Sequence, residues 1–207
     1  NTWLRSLLSA YFFSQNGKFN FKLLKNINQF SSKDISLKSE THLSYQKKIS
    51  QNWIKAQKII NQDKKIHFLK THNAFCKIND SQFTDRFNTK AVIYIVRDPR
   101  NLITSLSNHY EFGIEEAFKF LTNKRKVIFP GTNTIPTENE PEDFNFIGDW
   151  SDHYKSWKNI NFCPVKIIRY EDFLADAQNV FLSILNFLSA FMDIKFDENK
   201  IQNAITS

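Results

Sequence analysis

At 207 residues, with 41% hydrophobic and 15% aromatic side chains and 21 phenylalanines, the chain has the apolar mass for a sizeable core and is not a disordered sequence. Its 28 basic against 21 acidic side chains leave a net charge of +7, which favours an anionic partner: a nucleotide, a nucleic acid or an anionic lipid surface. The two cysteines, Cys76 and Cys163, make neither a disulfide framework nor a zinc spacing, which fits reduced thiols in a cytoplasmic setting, and no apolar run reaches the length of a membrane span.

The chain reads as one domain over residues 1–207. It starts at Asn1, its one methionine is Met192, and it stops inside the amphipathic stretch KIQNAITS, so it reads as cut at both ends. Residues 2–13 carry Trp3, Leu4, Leu7, Leu8 and Tyr11 at helical intervals. A polar segment follows to about residue 39 and reads as a surface excursion with short helices. Residues 42–61 predict a helix with Ile49, Trp53, Ile54, Ala56 and Ile60 facing the core. Residues 66–69 predict a short strand running into Lys70-Thr71-His72.

The run Val92, Ile93, Tyr94, Ile95, Val96 predicts a buried strand over 91–96. Arg97 stands at its carboxyl end. Asp98 can cap a helix and Pro99 suits its first turn, so a helix is predicted over 99–112, with Ser105 about two turns in. Another helix is expected over 115–123. Residues 125–147 contain three prolines and Gly131 and read as a long loop. A helix over 148–157 follows, then a strand over 164–169 ending at Tyr170-Glu171-Asp172. After it comes a strongly amphipathic helix whose stripe is Ala177, Val180, Phe181, Ile184, Leu185, Leu188 and Phe191. Strands alternating with helices predict an α/β fold with a parallel sheet in three layers.

In such a sheet, ligands lie beyond the carboxyl ends of the strands. Arg97 therefore presents a planar fork where a phosphate would sit, with the Ser105 hydroxyl nearby. Alternate residues of a strand share a face, so Lys70 and His72 are expected to project together towards the same crevice. A histidine there can take a proton from an acceptor hydroxyl, and a lysine can offset charge on a departing oxygen. Glu171 and Asp172 read as the opening of the next helix, where acids suit the helix dipole. His42, His67, His109 and His153 lack a comparable context. His109 and His153 are candidates to line an acceptor pocket, although a packed or solvated role is the plainer reading.

Four of these segments, in this order, resemble the sulfotransferases that use 3′-phosphoadenylyl sulfate (PAPS), of the cytosolic type. Asn1-Thr2-Trp3 is similar to the end of that family's 5′-phosphosulfate loop, Lys70-Thr71-His72 to its Lys-Thr-His, Arg97 with Ser105 to its 3′-phosphate element, and Tyr170-Glu171-Asp172 to its Tyr-Glu-Asp. Gly148-Asp149-Trp150 with Trp157 resembles its Gly-Ser-Trp segment, and Thr206-Ser207 resembles the Thr-Ser of its Thr-Ser-Phe. The resemblance covers nearly the whole chain. It implies a P-loop NTPase-like sulfotransferase fold, incomplete here, since the Lys-Ser-Gly of the loop and the C-terminal Arg-Lys-Gly-x-x-Gly-Asp-Trp segment are not in this sequence.

The resemblance further implies His72 as general base and Lys70 as electrostatic stabiliser. It implies Arg97 and Ser105 on the 3′-phosphate, Thr2 on the 5′-phosphate, Trp3 near the adenine, Tyr170 on the nucleotide, and Thr206 and Ser207 lining the adenine site. The expected activity is transfer of a sulfuryl group from PAPS to a hydroxyl or amine of a small-molecule or carbohydrate acceptor. Neither a metal, a nucleic acid nor a membrane is expected as a partner. The acceptor pocket is expected from loops such as 11–45 and 125–147. Two other classes stand beside this one. A P-loop kinase would need an intact Gly-Lys-Ser/Thr loop and a Mg²⁺-binding Asp at a strand end. A basic nucleic-acid-binding domain would interleave basic and aromatic residues on one exposed surface.

Overall fold

A computed structural model describes residues 2–30, 45–129 and 144–207. In chain order the elements are α1 (Thr2–Phe13), β1 (Asn28–Gln29), α2 (Tyr45–Ile60), β2 (Leu69–Lys70), β3 (Lys77–Ile78), β4 (Ser81–Gln82) and β5 (Val92–Val96). There follow α3 (Pro99–Tyr110), α4 (Ile114–Thr122), β6 (Val127–Ile128), β7 (Asn145–Phe146), α5 (Trp150–Lys158), β8 (Val165–Arg169), α6 (Tyr170–Ala175), α7 (Ala177–Leu188) and α8 (Glu198–Thr206). Short 3₁₀ turns occupy Phe21–Asn26 and Asn61–Asp63.

Helix starts follow the sequence chemistry. Aspartates cap four of them: Asp98 accepts from the Arg100 N–H, Asp149 from Asp152, Asp176 from Asn179 and Asp197 from Lys200. Asp176 explains why the expected single helix after Asp172 is two, α6 and α7. Its side chain opens α7, while its own N–H closes α6 on the Asp172 carbonyl at 2.9 Å. Phe191, assigned to the apolar stripe, lies beyond the end of α7 at Leu188.

The described strands pair as four two-stranded ladders: β1 with β2 and β5 with β8, both parallel, and β3 with β4 and β6 with β7, both antiparallel. Two strand expectations change. The predicted strand over 66–69 shrinks to Leu69–Lys70, because its partner β1 is itself two residues long, and Ile66 is left 41% exposed. The expected loop over 125–147 is tied at its base by the β6–β7 ladder, in which Val127 faces Phe146 and Ile128 faces Asn145. The part of that loop over 130–143 lies outside the described residues, as does most of the segment joining β1 to α2.

Two hydrophobic clusters flank β5. One gathers Leu4, Leu7 and Leu8 of α1, Ile168 of β8, Phe173 of α6, Phe181, Ile184, Leu185 and Leu188 of α7, and Ile201 of α8, with Ile93 and Ile95 packed against it. The other gathers Phe30, Trp53, Phe83, Phe144 and Trp157, with Val92 and Tyr94 packed against it. Alternate residues of β5 thus feed opposite sides. None of its five side chains is fully buried, so the strand is a half-covered partition where a wholly buried one was expected.

Helix α8 docks on the far end of α1. Asn203 Nδ2 donates to the Asn16 carbonyl at 2.7 Å, and Gly17 holds φ +81°, where an added Cβ would collide with the Lys200 backbone carbonyl. A Gly17→Ala variant therefore meets both a left-handed backbone and a backbone clash. It is expected to destabilise the protein by at least about 1–2 kcal/mol, read as a lower urea midpoint at unchanged slope.

Candidate active site

The parallel register that sets Val96 opposite Arg169 brings two strand-to-helix corners side by side. One step past that pair, the Arg97 guanidinium carbon lies 4.9 Å from the centroid of the Tyr170 ring. Trp3, from the first turn of α1, stands edge-on to Tyr170 at 6.4 Å between centroids and packs on Phe173 at 5.2 Å. Three residues distant in sequence thus form one aromatic–cation cluster.

The neighbouring acids are already engaged. Glu171 accepts the Asp98 N–H at 3.0 Å, and that bond is the main cause holding its carboxyl below the usual range. Asp98 binds the Arg100 side chain, which holds its carboxyl at about 2. Arg97 has no ion pair among the described residues, and its Nε is buried without a hydrogen-bond partner. Ser105 sits half-buried on α3, three residues beyond Leu102, and its hydroxyl has no partner among the described residues.

Lys70 and His72 leave β2 in a segment fixed from behind by a buried asparagine. Asn73 is 0% exposed; its Oδ1 accepts the Phe146 N–H at 2.8 Å and its Nδ2 donates to Asn145 Oδ1 at 3.1 Å. Its carbonyl accepts the Trp157 indole N–H at 2.9 Å. The next two amides are bound as well, Ala74 N–H to the Phe146 carbonyl at 2.8 Å and Phe75 N–H to Ser156 Oγ at 3.0 Å. The strand ends at Lys70, so strand alternation does not itself carry as far as His72; this network sets the backbone that follows it.

The electrostatics still couple the two side chains. Burial, then the Lys70 charge, push His72 down to about 4, with His153 adding in the same direction. Burial, then the charge of Arg5, lower Lys70.

A cavity of about 200 Å³ lies next to these elements, lined by residues that include Tyr94, Arg97, Leu102, Phe120, Trp150 and His153. His153 joins the two halves of the site. Its Nδ1 is 2.8 Å from the Tyr94 hydroxyl and its Nε2 is 3.1 Å from the His72 carbonyl oxygen. The plainer reading of His153 as a packed residue misses this bridge. Its spacing from Trp150 and Trp157, three and four residues, is the signal that places it on the inward face of α5.

The remaining candidates sit elsewhere or are bound to their own surroundings. Thr2 opens α1, is exposed, and accepts the Ser6 hydroxyl on its carbonyl at 3.0 Å. Thr206 donates to the Gln202 carbonyl at 2.9 Å, and Ser207 Oγ accepts the Phe19 N–H at 2.9 Å. These hydrogen bonds tie the last residues to their own helix and to the segment after α1, and none reaches the Trp3–Tyr170–Arg97 cluster. Among the described residues no group of three or more His, Cys, Asp or Glu side chains is placed to hold a metal ion, and no helix is long and apolar enough to cross a membrane.

A guanidinium without an ion pair among the described residues at a β–α corner, linked through His153 to a half-buried segment that carries a lysine and a histidine, is the kind of site that handles an anionic group. The chain matches the family model of the sulfotransferase domain over residues 1–206, and it belongs to that family. Membership supports sulfuryl transfer as the general activity and a transferase as the enzyme class. Comparison with curated proteins returns no match.

Burial lowers both His72 and His153 below the usual imidazole range. The unfolded chain therefore takes up protons near pH 6.5 that the folded chain refuses until lower pH. Their contribution to stability is complete above that range and declines as pH falls from about 6.5 towards 4. Urea midpoints between pH 7.5 and 5 are expected to drop in the wild type and to drop less steeply in His72→Gln.

Proposed function

We propose that the protein transfers a sulfuryl group from PAPS to a hydroxyl or amine of a small-molecule or carbohydrate acceptor. The observation that carries the reading is the Arg97 guanidinium: stacked on Tyr170 beside Trp3, half-buried, and without an acid among the described residues to neutralise it. The donor set suits the cofactor, with cations at Arg97 and Lys70 for anionic oxygens and ring faces at Trp3 and Tyr170 for a base. Arg97 and Ser105 hold the 3′-phosphate, and Thr2 serves the 5′-phosphate. The donor, when bound, supplies an activated sulfuryl group on its 5′-phosphate.

His72 removes the acceptor proton as the new bond to sulfur forms and the bond from sulfur to the 5′-phosphate oxygen breaks. Lys70 offsets the charge left on that oxygen, and the 3′,5′-bisphosphate departs. With its value near 4, the imidazole is neutral at pH 7 and free to accept a proton. Burial is the main cause that depresses His72; anionic oxygens brought close to Lys70 counter the charge that adds to it, so the base strengthens in part when the site fills. Positioning and electrostatics supply most of the rate, as in phosphoryl transfer.

The reading takes the two parallel pairs as parts of one central parallel sheet with helices on both faces, in a P-loop-like arrangement. Its support is β5, whose alternate residues pack into two separate clusters. It also carries a cytoplasmic setting, in keeping with two unbridged cysteines. A kinase is less well supported: the acids at the two corners, Asp98 and Glu171, are held by Arg100 and by a backbone N–H, so neither is disposed towards Mg²⁺.

Two measurements test this. With PAPS and a panel of hydroxyl acceptors, His72→Ala is expected to lower kcat by about 10²-fold or more while calorimetric affinity for the 3′,5′-bisphosphate stays within about twofold. Undiminished turnover removes His72 from the mechanism. Arg97→Ala is expected to weaken the 3′,5′-bisphosphate by about 10–100-fold and to leave AMP nearly unchanged, since the lost charge-assisted bonds serve the 3′-phosphate. Equal losses for both nucleotides would move Arg97 away from that phosphate.

A further inference from the structure

The bridge through His153 has a fixed polarity. A backbone carbonyl can only accept, so the contact with the His72 carbonyl requires a proton on His153 Nε2. In a neutral ring Nδ1 is then an acceptor, and the Tyr94 hydroxyl must donate to it. Tyr94 is able to do so at all ordinary pH, because burial pushes its hydroxyl upward. The ring is also anchored through its backbone, since the His153 carbonyl accepts the Ser156 hydroxyl at 2.7 Å and Ser156 Oγ in turn accepts the Phe75 N–H at 3.0 Å. The stretch from His72 to Phe75 is thereby held at three points by one face of α5: His153 on residue 72, Trp157 on residue 73 and Ser156 on residue 75.

We propose that His153 is a positioning residue for His72: oriented by Tyr94, it clamps the His72 carbonyl as the Nε2–H tautomer and thereby fixes the direction of the His72 imidazole. This rests on the reading of His72 as the general base. The Asn73 and Phe75 anchors hold the segment in place, whereas the His153 anchor alone acts on the residue that carries the base. His153 also lines the cavity that Arg97 lines, so one ring touches both the backbone of the base and the space next to Arg97. A displacement of about 1 Å in a reacting group can cost on the order of 10²-fold in rate, so a clamp on the backbone of the base acts on kcat.

The test compares Tyr94→Phe, His153→Ala and His153→Gln with His72→Ala, reading kcat, the KM for PAPS, and the ¹⁵N pattern of the histidine rings by NMR. His153→Ala is expected to lower kcat about tenfold or more with the KM for PAPS within about twofold. His153→Gln, whose amide can donate to the carbonyl and accept from Tyr94, is expected to recover most of that loss. Tyr94→Phe, which keeps the ring packing but removes the donor that orients His153, is expected to loosen the His153 ring and to shift the His72 ring signals. Wild-type kcat in His153→Ala, or a wild-type His153 ring protonated on Nδ1, overturns the proposal. If His72→Ala stays active, the base assignment falls by itself, and the tautomer and the His72 ring signals then decide the clamp alone. If His153→Ala does not fold, Tyr94→Phe and His153→Gln carry the same decision.

Discussion

The pairing of β5 with β8 is the constraint on which the rest of the site depends. Two parallel strands, in register from Val92 and Val165 to Val96 and Arg169, end at the same level. Each turns at once into a helix, and the residues just past the ladder, Arg97 and Tyr170, meet face to face. The next pair, Asp98 and Glu171, is stitched by a hydrogen bond from backbone to carboxylate. A slip of one residue in either strand would exchange inward and outward faces along the whole ladder and separate both pairs. Helix α1 then needs only to pack on Phe173 and Tyr170 for Trp3 to complete the cluster.

The other half of the site is built on polar burial. Asn73 is fully buried, and its side chain and carbonyl between them bind Phe146, Asn145 and Trp157. Buried polar groups are costly when unpaired, so the bonds that Asn73 makes favour one backbone path; Asn145 Nδ2 is the one atom of the network buried without a partner among the described residues. The network joins the segment after β2 to strand β7 and helix α5, whose bonded residues lie 72 to 84 positions further along the chain. The depressed basicity of His72 and Lys70 follows from the same burial, reinforced by the cations brought together there.

Much of this was legible in the sequence where the signal is local. The helical spacing of Leu4, Leu7 and Leu8 marks α1, and Asp98-Pro99 after an apolar run marks the corner that carries Arg97. Asp176 was readable as a helix cap and would have divided α6 from α7. What was not legible is non-local. Strand β1 is two polar residues, Asn28 and Gln29, with no apolar pattern to announce it, so the length of its partner β2 could not be foreseen. The β6–β7 ladder joins segments separated by a proline-bearing stretch, and its β7 strand is held by Asn73, 73 residues earlier than the Phe146 it binds. The sequence offers His153 as a pocket-lining candidate beside His109, with a packed or solvated role the plainer reading; its bridging role depends on Tyr94, which in the sequence is one more apolar member of a strand.

The two hydrophobic clusters have separate memberships and share β5 as their common wall. One carries Trp3, Phe173, Ile95 and Ile168, which set the stance of the corner bearing Arg97. The other carries Tyr94, Phe75 and Trp157, which set the stance of the segment bearing His72. Evolution can therefore retune the Arg97 corner and the His72 segment through different sets of buried residues, each drifting with little disturbance to the other. The ribbon between them acts as a keel: it transmits little sideways and fixes the separation at which both sets must work.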